Sequence, residues 1–186
     1  AIKKYKLAKK IIAYDIDKSS IALAQKEKVV DFHAENIDES FKDCSLIFLC
    51  CPVNINIEVY KKLIDLVNED CIITDVGSTK DHIFKAINEL NMPIPFIGGH
   101  PMVGSEKTGY QASTPHLFEN AYYILTPDSL DTTDNSYNLL IDLIKEIKAL
   151  PIIIPAKLHD FIVAIISHAP HLIAASLVNM VKELDN

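Results

Sequence analysis

The chain contains no arginine: all 18 of its basic residues are lysine. No side chain here can therefore supply the planar, bidentate clamp that a guanidinium offers to a carboxylate or phosphate. The five glycines form no G-x-G-x-x-G fingerprint. The four cysteines, Cys44, Cys50, Cys51 and Cys71, lack C-x-x-C spacing, and neither H-x-H nor H-E-x-x-H occurs. That pattern predicts no metal, and reduced core thiols in a cytoplasmic protein. A formal net charge of −7 argues against nucleic acid, which demands a basic face. It says little about small anions, because a local pocket can oppose the global sign. The opening residues Ala1-Ile2-Lys3-Lys4-Tyr5-Lys6-Leu7 have no apolar stretch of the kind a signal peptide requires, so none is expected.

What is present is alternation. At 186 residues the length fits one α/β domain, or one domain plus part of another. Apolar runs at 11–14, 46–51, 71–74, 94–97, 122–126 and 152–154 read as strands. Between them, 19–28, 55–67, 81–90 and 139–150 have helical period; Val59, Leu63, Ile64 and Val67 share one face, as do Ile83, Phe84, Ile87 and Leu90. Such a chain predicts a largely parallel sheet covered on both sides. Residues 99–120 carry little periodicity, and loops of that length in compact domains are usually functional. From Lys157 the character changes: 161–181 holds no fixed charge. Its length would permit a membrane span. His168, His171, Pro170, Ser167, Ser176 and Asn179 favour instead a helix buried against protein partners, expected beyond Asn186 or on another subunit.

Two strand ends carry chemistry. In Ile97-Gly98-Gly99-His100-Pro101 one imidazole stands between a glycine pair and a proline that keeps it extended. Asp75-Val76-Gly77-Ser78-Thr79-Lys80 repeats the design with a glycine and a hydroxyl. Open α/β sheets bind ligands at the carboxyl ends of their strands, so His100 and Ser78 form a candidate pair. Ser78 also reads as a helix N-cap. Asp15 closes the first strand, where a Rossmann unit places the acid that hydrogen-bonds adenosine ribose. The glycine fingerprint belongs about 20 residues before such an acid, hence upstream of Ala1. Residues 1–7 would then end the first crossover helix.

Four motifs in order, Tyr14-Asp15-Ile16-Asp17, Asp75-Val76-Gly77-Ser78-Thr79-Lys80, Gly98-Gly99-His100-Pro101-Met102-Val103-Gly104-Ser105-Glu106 and Ser167-His168-Ala169-Pro170-His171, resemble the prephenate dehydrogenase family, with its arogenate-using relatives. The family's glycine-rich loop, most of its helical dimerisation domain and a carboxylate-binding arginine have no counterpart in these residues. The resemblance implies an α/β fold: a Rossmann-like doubly wound, mostly parallel sheet over 1–155, then the start of an all-helical dimerisation domain over 156–186. It implies oxidative decarboxylation of prephenate with hydride transfer to NAD, in a cytoplasmic homodimer. His100 matches the catalytic histidine and Ser78 the residue that hydrogen-bonds it. His171 and His168 are implied to line the substrate pocket, with Ser105 and Glu106 beside them. Asp15, Cys51, Pro52 and Gly77 are implied to border the cofactor. Rival readings are an arogenate or β-hydroxy acid dehydrogenase, a non-catalytic NAD-binding or dimerisation module, and a metal site that would recruit His159 and Asp160 to His168 and His171.

Overall fold

The computed structural model describes residues 1–91, 94–104, 109–127 and 135–184. Two short parallel strands, β1 (Ile12–Ala13) and β2 (Phe32–His33), flank helix α1 (Lys18–Lys26). Asp17 caps that helix, its carboxylate accepting the N–H groups of Ser19 and Ser20. A five-stranded sheet follows, in the order β3 (Leu46–Leu49), β4 (Ile72–Asp75), β5 (Phe96–Pro101), β6 (Tyr122–Thr126), β7 (Leu150–Ile153). Helix α2 (Val53–Leu63) joins β3 to β4, α3 (Asp81–Asn88) joins β4 to β5, and α4 (Asn135–Glu146) precedes β7. The β5–β6 pair is antiparallel and the others are parallel. The result is the expected Rossmann-like α/β sandwich with a mostly parallel sheet.

Strand periodicity sets the layers. On β3, Ile47 and Leu49 join one core with Ile73, Tyr60, Leu63, Ile83 and Ile87, under α2 and α3. Leu46 and Phe48 point the other way, with Ile72, Leu125, Leu140 and Ile144, under α4. Ile73, Ile83, Leu125, Leu140 and Ile144 are fully buried. Each such side chain contributes about 1.5–3 kcal/mol relative to exposure.

Three local expectations are corrected. The strand foreseen at 94–97 runs on through the glycines to Pro101, because His100 pairs with Ile124 and Pro101 with Tyr123 of β6. The helix foreseen at 139–150 spans 135–146 instead, Lys148 taking a positive φ of 68° so that Leu150 can pair with Tyr122. The thiols are free as expected, but only Cys71 is a core residue; Cys50 is exposed and Cys44 and Cys51 are half-buried.

Past β7 the chain becomes one long helical rod: α5 (Ala156–Val163), a π-helical turn over Ala164–His168, then α6 (Ala169–Leu184). Pro170 cannot donate to the carbonyl four residues back, and the wider π turn accommodates that missing bond. Phe161 (64% exposed), Ile166, Leu172 (67%), Ile173 and Val178 are uncovered apolar residues along it.

Candidate active site

The site is assembled at the carboxyl ends of β4 and β5. Asp75 and Lys80, both wholly buried, form an ion pair there. Asp75 also accepts the N–H of Gly77 (2.9 Å) and of Gly99 (3.0 Å), while the Lys80 ammonium donates to the Gly99 carbonyl (2.9 Å). Burial draws the Lys80 pKa below its ordinary value, against the pull of Asp75. These contacts lash the β4–α3 turn to the peptide preceding His100. The glycines are needed because backbone and side chains crowd them: a Cβ on Gly99 would lie 2.5 Å from the Asp75 carbonyl, and one on Gly98 2.3 Å from Thr126 Oγ1. It is the protein's own packing that approaches them closely.

His100 is 9% exposed and lines a cavity of about 230 Å³ with Ser78, Pro101, Met102, Val103, Gly104, Ser167 and His168. Ser78, His100 and His168, three residues singled out from the sequence, are thus brought to one cavity. His171 lies three residues beyond His168 on α6, exposed and outside that lining. Ser105 and Glu106 lie outside the described residues. Ser78 is not the cap of α3. That role falls to Asp160 of α5, whose carboxylate accepts the N–H groups of Lys80 (2.8 Å) and Asp81 (2.9 Å). A carboxylate at a helix N-terminus is favoured by the helix dipole.

Sequence reasoning assigned His159 and Asp160 only to a hypothetical metal. In the structure His159 is fully buried; its Nε2 lies 2.8 Å from His100 Nδ1 and its Nδ1 2.7 Å from Asp160 Oδ1. Both nitrogens of His159 are thereby engaged, one by His100 and one by the carboxylate, while His100 uses only its Nδ1. Burial, then electrostatic repulsion from the His159, Lys80 and His168 side of the site, pushes the His100 imidazole down to about 4, Asp160 opposing it. His159 is lowered too, by burial, in spite of Asp160. Burial works against the charge of Asp160, yet donation from Asp81, His159 and Lys80 holds its carboxyl below the ordinary range. At neutral pH the site therefore presents a neutral imidazole beside a carboxylate. The sequence signal that could have found this was an adjacent His-Asp pair one turn into a helix, following a strand of the same sheet.

The residues assigned to a cofactor also stand at strand ends. Asp15, just past β1, is exposed; its Oδ1 accepts the Asp17 N–H at 2.8 Å. Cys51 and Pro52 follow β3, with Cys51 Sγ donating to Asn56 Oδ1 (2.8 Å) and Pro52 opening α2. Gly77 follows β4, and a Cβ there would strike Val53 Cγ2 at 2.6 Å. A solvent-facing acid, a proline turn and a side-chain-free residue, each just past the carboxyl end of a strand, are residue types compatible with a dinucleotide's ribose and nicotinamide.

Known proteins are similar to this chain over nearly its whole length. The family model described as "Prephenate dehydrogenase, nucleotide-binding domain" matches residues 1–153, and "Prephenate dehydrogenase, dimerization domain" matches 155–186. The prephenate dehydrogenase of Bacillus subtilis is 35% identical over 191 residues, covering 100% of this chain and 50% of its own. That of Lactococcus lactis is 37% identical over 159 residues, covering 84% of this chain and 42% of its own. The chain spans about half the length of these curated relatives. Among solved structures, prephenate dehydrogenase from Aquifex aeolicus in complex with hydroxyphenyl propionate and NAD+ superposes with a TM-score of 0.88 at 30% identity, covering 96% of this chain and 62% of that one. With a family model matching residues 1–153, the chain belongs to the prephenate dehydrogenase family.

Proposed function

We propose that this chain carries the hydride-transfer site of an NAD-dependent prephenate dehydrogenase. The observation that supports it most is the convergence of a neutral His100, Ser78 and His168 on one cavity at the carboxyl ends of β4 and β5. NAD, held by Asp15, Cys51, Pro52 and Gly77, would supply the acceptor for the hydride of the substrate's carbinol carbon, in a cyclohexadienol ring. His100 Nε2 accepts the hydrogen bond of that carbon's hydroxyl and takes its proton as the C–H electron pair departs. The ring then loses its quaternary carboxylate as CO2, the electrons of that bond entering the ring. The proton returns from His100 to the ring oxygen, leaving a phenol. Ser78 orients the hydroxyl. His168, with His171, Ser105 and Glu106, is assigned to the substrate's carboxylates and the mouth of the site, the last three on resemblance alone.

Asp15 is the ribose ligand in this reading, and its charge favours NAD over NADP, whose 2′-phosphate it would repel. Cys51, Pro52 and Gly77 border the nicotinamide side. Residues 1–155 form the dinucleotide-binding part and 156–186 the first helices of the dimerisation part; the abutting family matches support that division. Ala156–Glu183 is apolar and long enough to cross a membrane by length and composition. The dimerisation match and the polar residues His168, Pro170 and His171 favour a second copy of the chain as its cover, giving a homodimer. Four free thiols accord with a cytoplasmic location.

The test is NADH formation by the full-length protein, given NAD+ and either prephenate or arogenate. Prephenate is expected to be the faster substrate. Turnover confined to arogenate would reassign the side-chain specificity, and tight NAD binding without turnover of either would leave only a binding module.

A further inference from the structure

We infer that His159 and Asp160 are positioning residues that fix which nitrogen of His100 is free to act as the base. This rests on the reading of His100 as base and extends it to residues that touch neither substrate nor cofactor.

Asp160 receives N–H bonds from Lys80 and Asp81 at the start of α3, an environment that favours the ionised carboxylate. A carboxylate only accepts, so the 2.7 Å contact with His159 Nδ1 requires a proton on that nitrogen. A neutral His159 then has a bare Nε2, which can only accept. Its partner at 2.8 Å, His100 Nδ1, must therefore be the donor. With its proton committed to Nδ1, His100 keeps a lone pair on Nε2, the ring nitrogen left for the cavity that Ser78 and His168 also line. One carboxylate thus sets the tautomer of two rings in series.

Position and burial reinforce the assignment. His159 is fully buried, so water does not compete for either of its nitrogens. The two rings meet edge to face, 5.0 Å between centroids and 68° between planes, which fixes the tilt of His100 as well as its tautomer. Asp160 cannot swing away without uncapping α3, whose first turn also holds Lys80 against Gly99. No proton need travel along the series: when His100 takes a proton at Nε2, its Nδ1–H stays on His159, and the carboxylate stabilises the imidazolium through the intervening ring. The same geometry opposes a metal at His159, because both its nitrogens are engaged.

The experiment combines spectroscopy with kinetics on the full-length protein. Nitrogen-15 spectra of the histidine rings in the wild type are expected to show His100 protonated at Nδ1 and bare at Nε2. His159→Phe, which removes the acceptor, should mix the tautomers and lower kcat on the order of 10²-fold with the KM for NAD unchanged; Asp160→Leu, which leaves His159 Nδ1–H without its acceptor, should do the same. His159→Gln, whose amide oxygen can accept from Nδ1–H, should recover much of the loss. A wild-type His100 carrying its proton on Nε2 would overturn the inference without any variant, so misfolding of His159→Phe cannot rescue it. A folded His159→Phe with kcat within two-fold of wild type would overturn it equally. If His100→Asn is inactive while His159→Phe is active, the series fails alone; if His100→Asn is fully active, the underlying reading of the base fails.

Discussion

Replacing Lys80 by methionine keeps the length of the side chain and removes its charge, leaving Asp75 as an unpaired carboxylate in a wholly buried site. Removing one partner of a buried pair typically costs about 3–5 kcal/mol, because the remaining ion has lost its counter-charge but not its burial. The Gly99 carbonyl loses its donor at the same time, about 1 kcal/mol more, although two backbone N–H groups still serve Asp75. A net loss of about 4 kcal/mol is a large share of the stability of an ordinary domain. It corresponds to a fall in Tm of roughly 8–16 °C for a protein of this size. Urea unfolding of the wild type, Lys80→Met, Asp75→Asn and the double variant measures both the loss and the coupling between the two residues. The double variant is expected to be more stable than Lys80→Met, since the orphaned charge is gone. A loss below about 1 kcal/mol in Lys80→Met, or strict additivity in the cycle, would refute the view that this pair clamps the peptide beside His100.

Stability should also depend on pH through His100. Its folded pKa lies at about 4 against an ordinary 6.5, so between those values the unfolded chain binds a proton that the native chain does not. Through this group stability then falls as pH drops through that window, by about 3 kcal/mol; chemical denaturation across that range checks the slope, which should be shallower in His100→Asn, where the lowered His159 still contributes. Gly99→Ala should destabilise by about 1–3 kcal/mol, since the added methyl meets the Asp75 carbonyl, and calorimetry showing an unchanged Tm would contradict the close approach. Asp15→Asn should weaken NAD binding and narrow the preference over NADP, read from the two Kd values by titration; an unaltered ratio would remove Asp15 from the ribose site.

The fold was legible wherever apolar residues cluster locally. Runs such as Ile72–Asp75 and Tyr122–Thr126 marked strands because β-branched and aromatic residues follow one another there, with burial on both faces replacing alternation over most of each run. Phe32–His33 was missed: it is too short and too exposed for periodicity to register. The extension of β5 through Gly98 and Gly99 was missed for the opposite reason, since glycine and proline signal a turn, whereas here they admit crowding from Thr126 and Asp75. At the site, His100 and Ser78 were legible from their setting at strand ends. His159 and Asp160 were not, because their meaning comes from a contact made across 59 residues to His100 and 80 to the start of α3. Lys80 was legible as part of a motif but not as a buried ion, a state that lysine adopts only when a partner such as Asp75 waits inside.

In the proposed reaction the His100 imidazole is the base that takes the substrate's hydroxyl proton. Its role is measured most directly by kcat for His100→Asn with prephenate and NAD+ in the full-length protein. A fall of about 10²–10⁴-fold is expected, with the Kd for NAD preserved. A kcat near that of the wild type would contradict it.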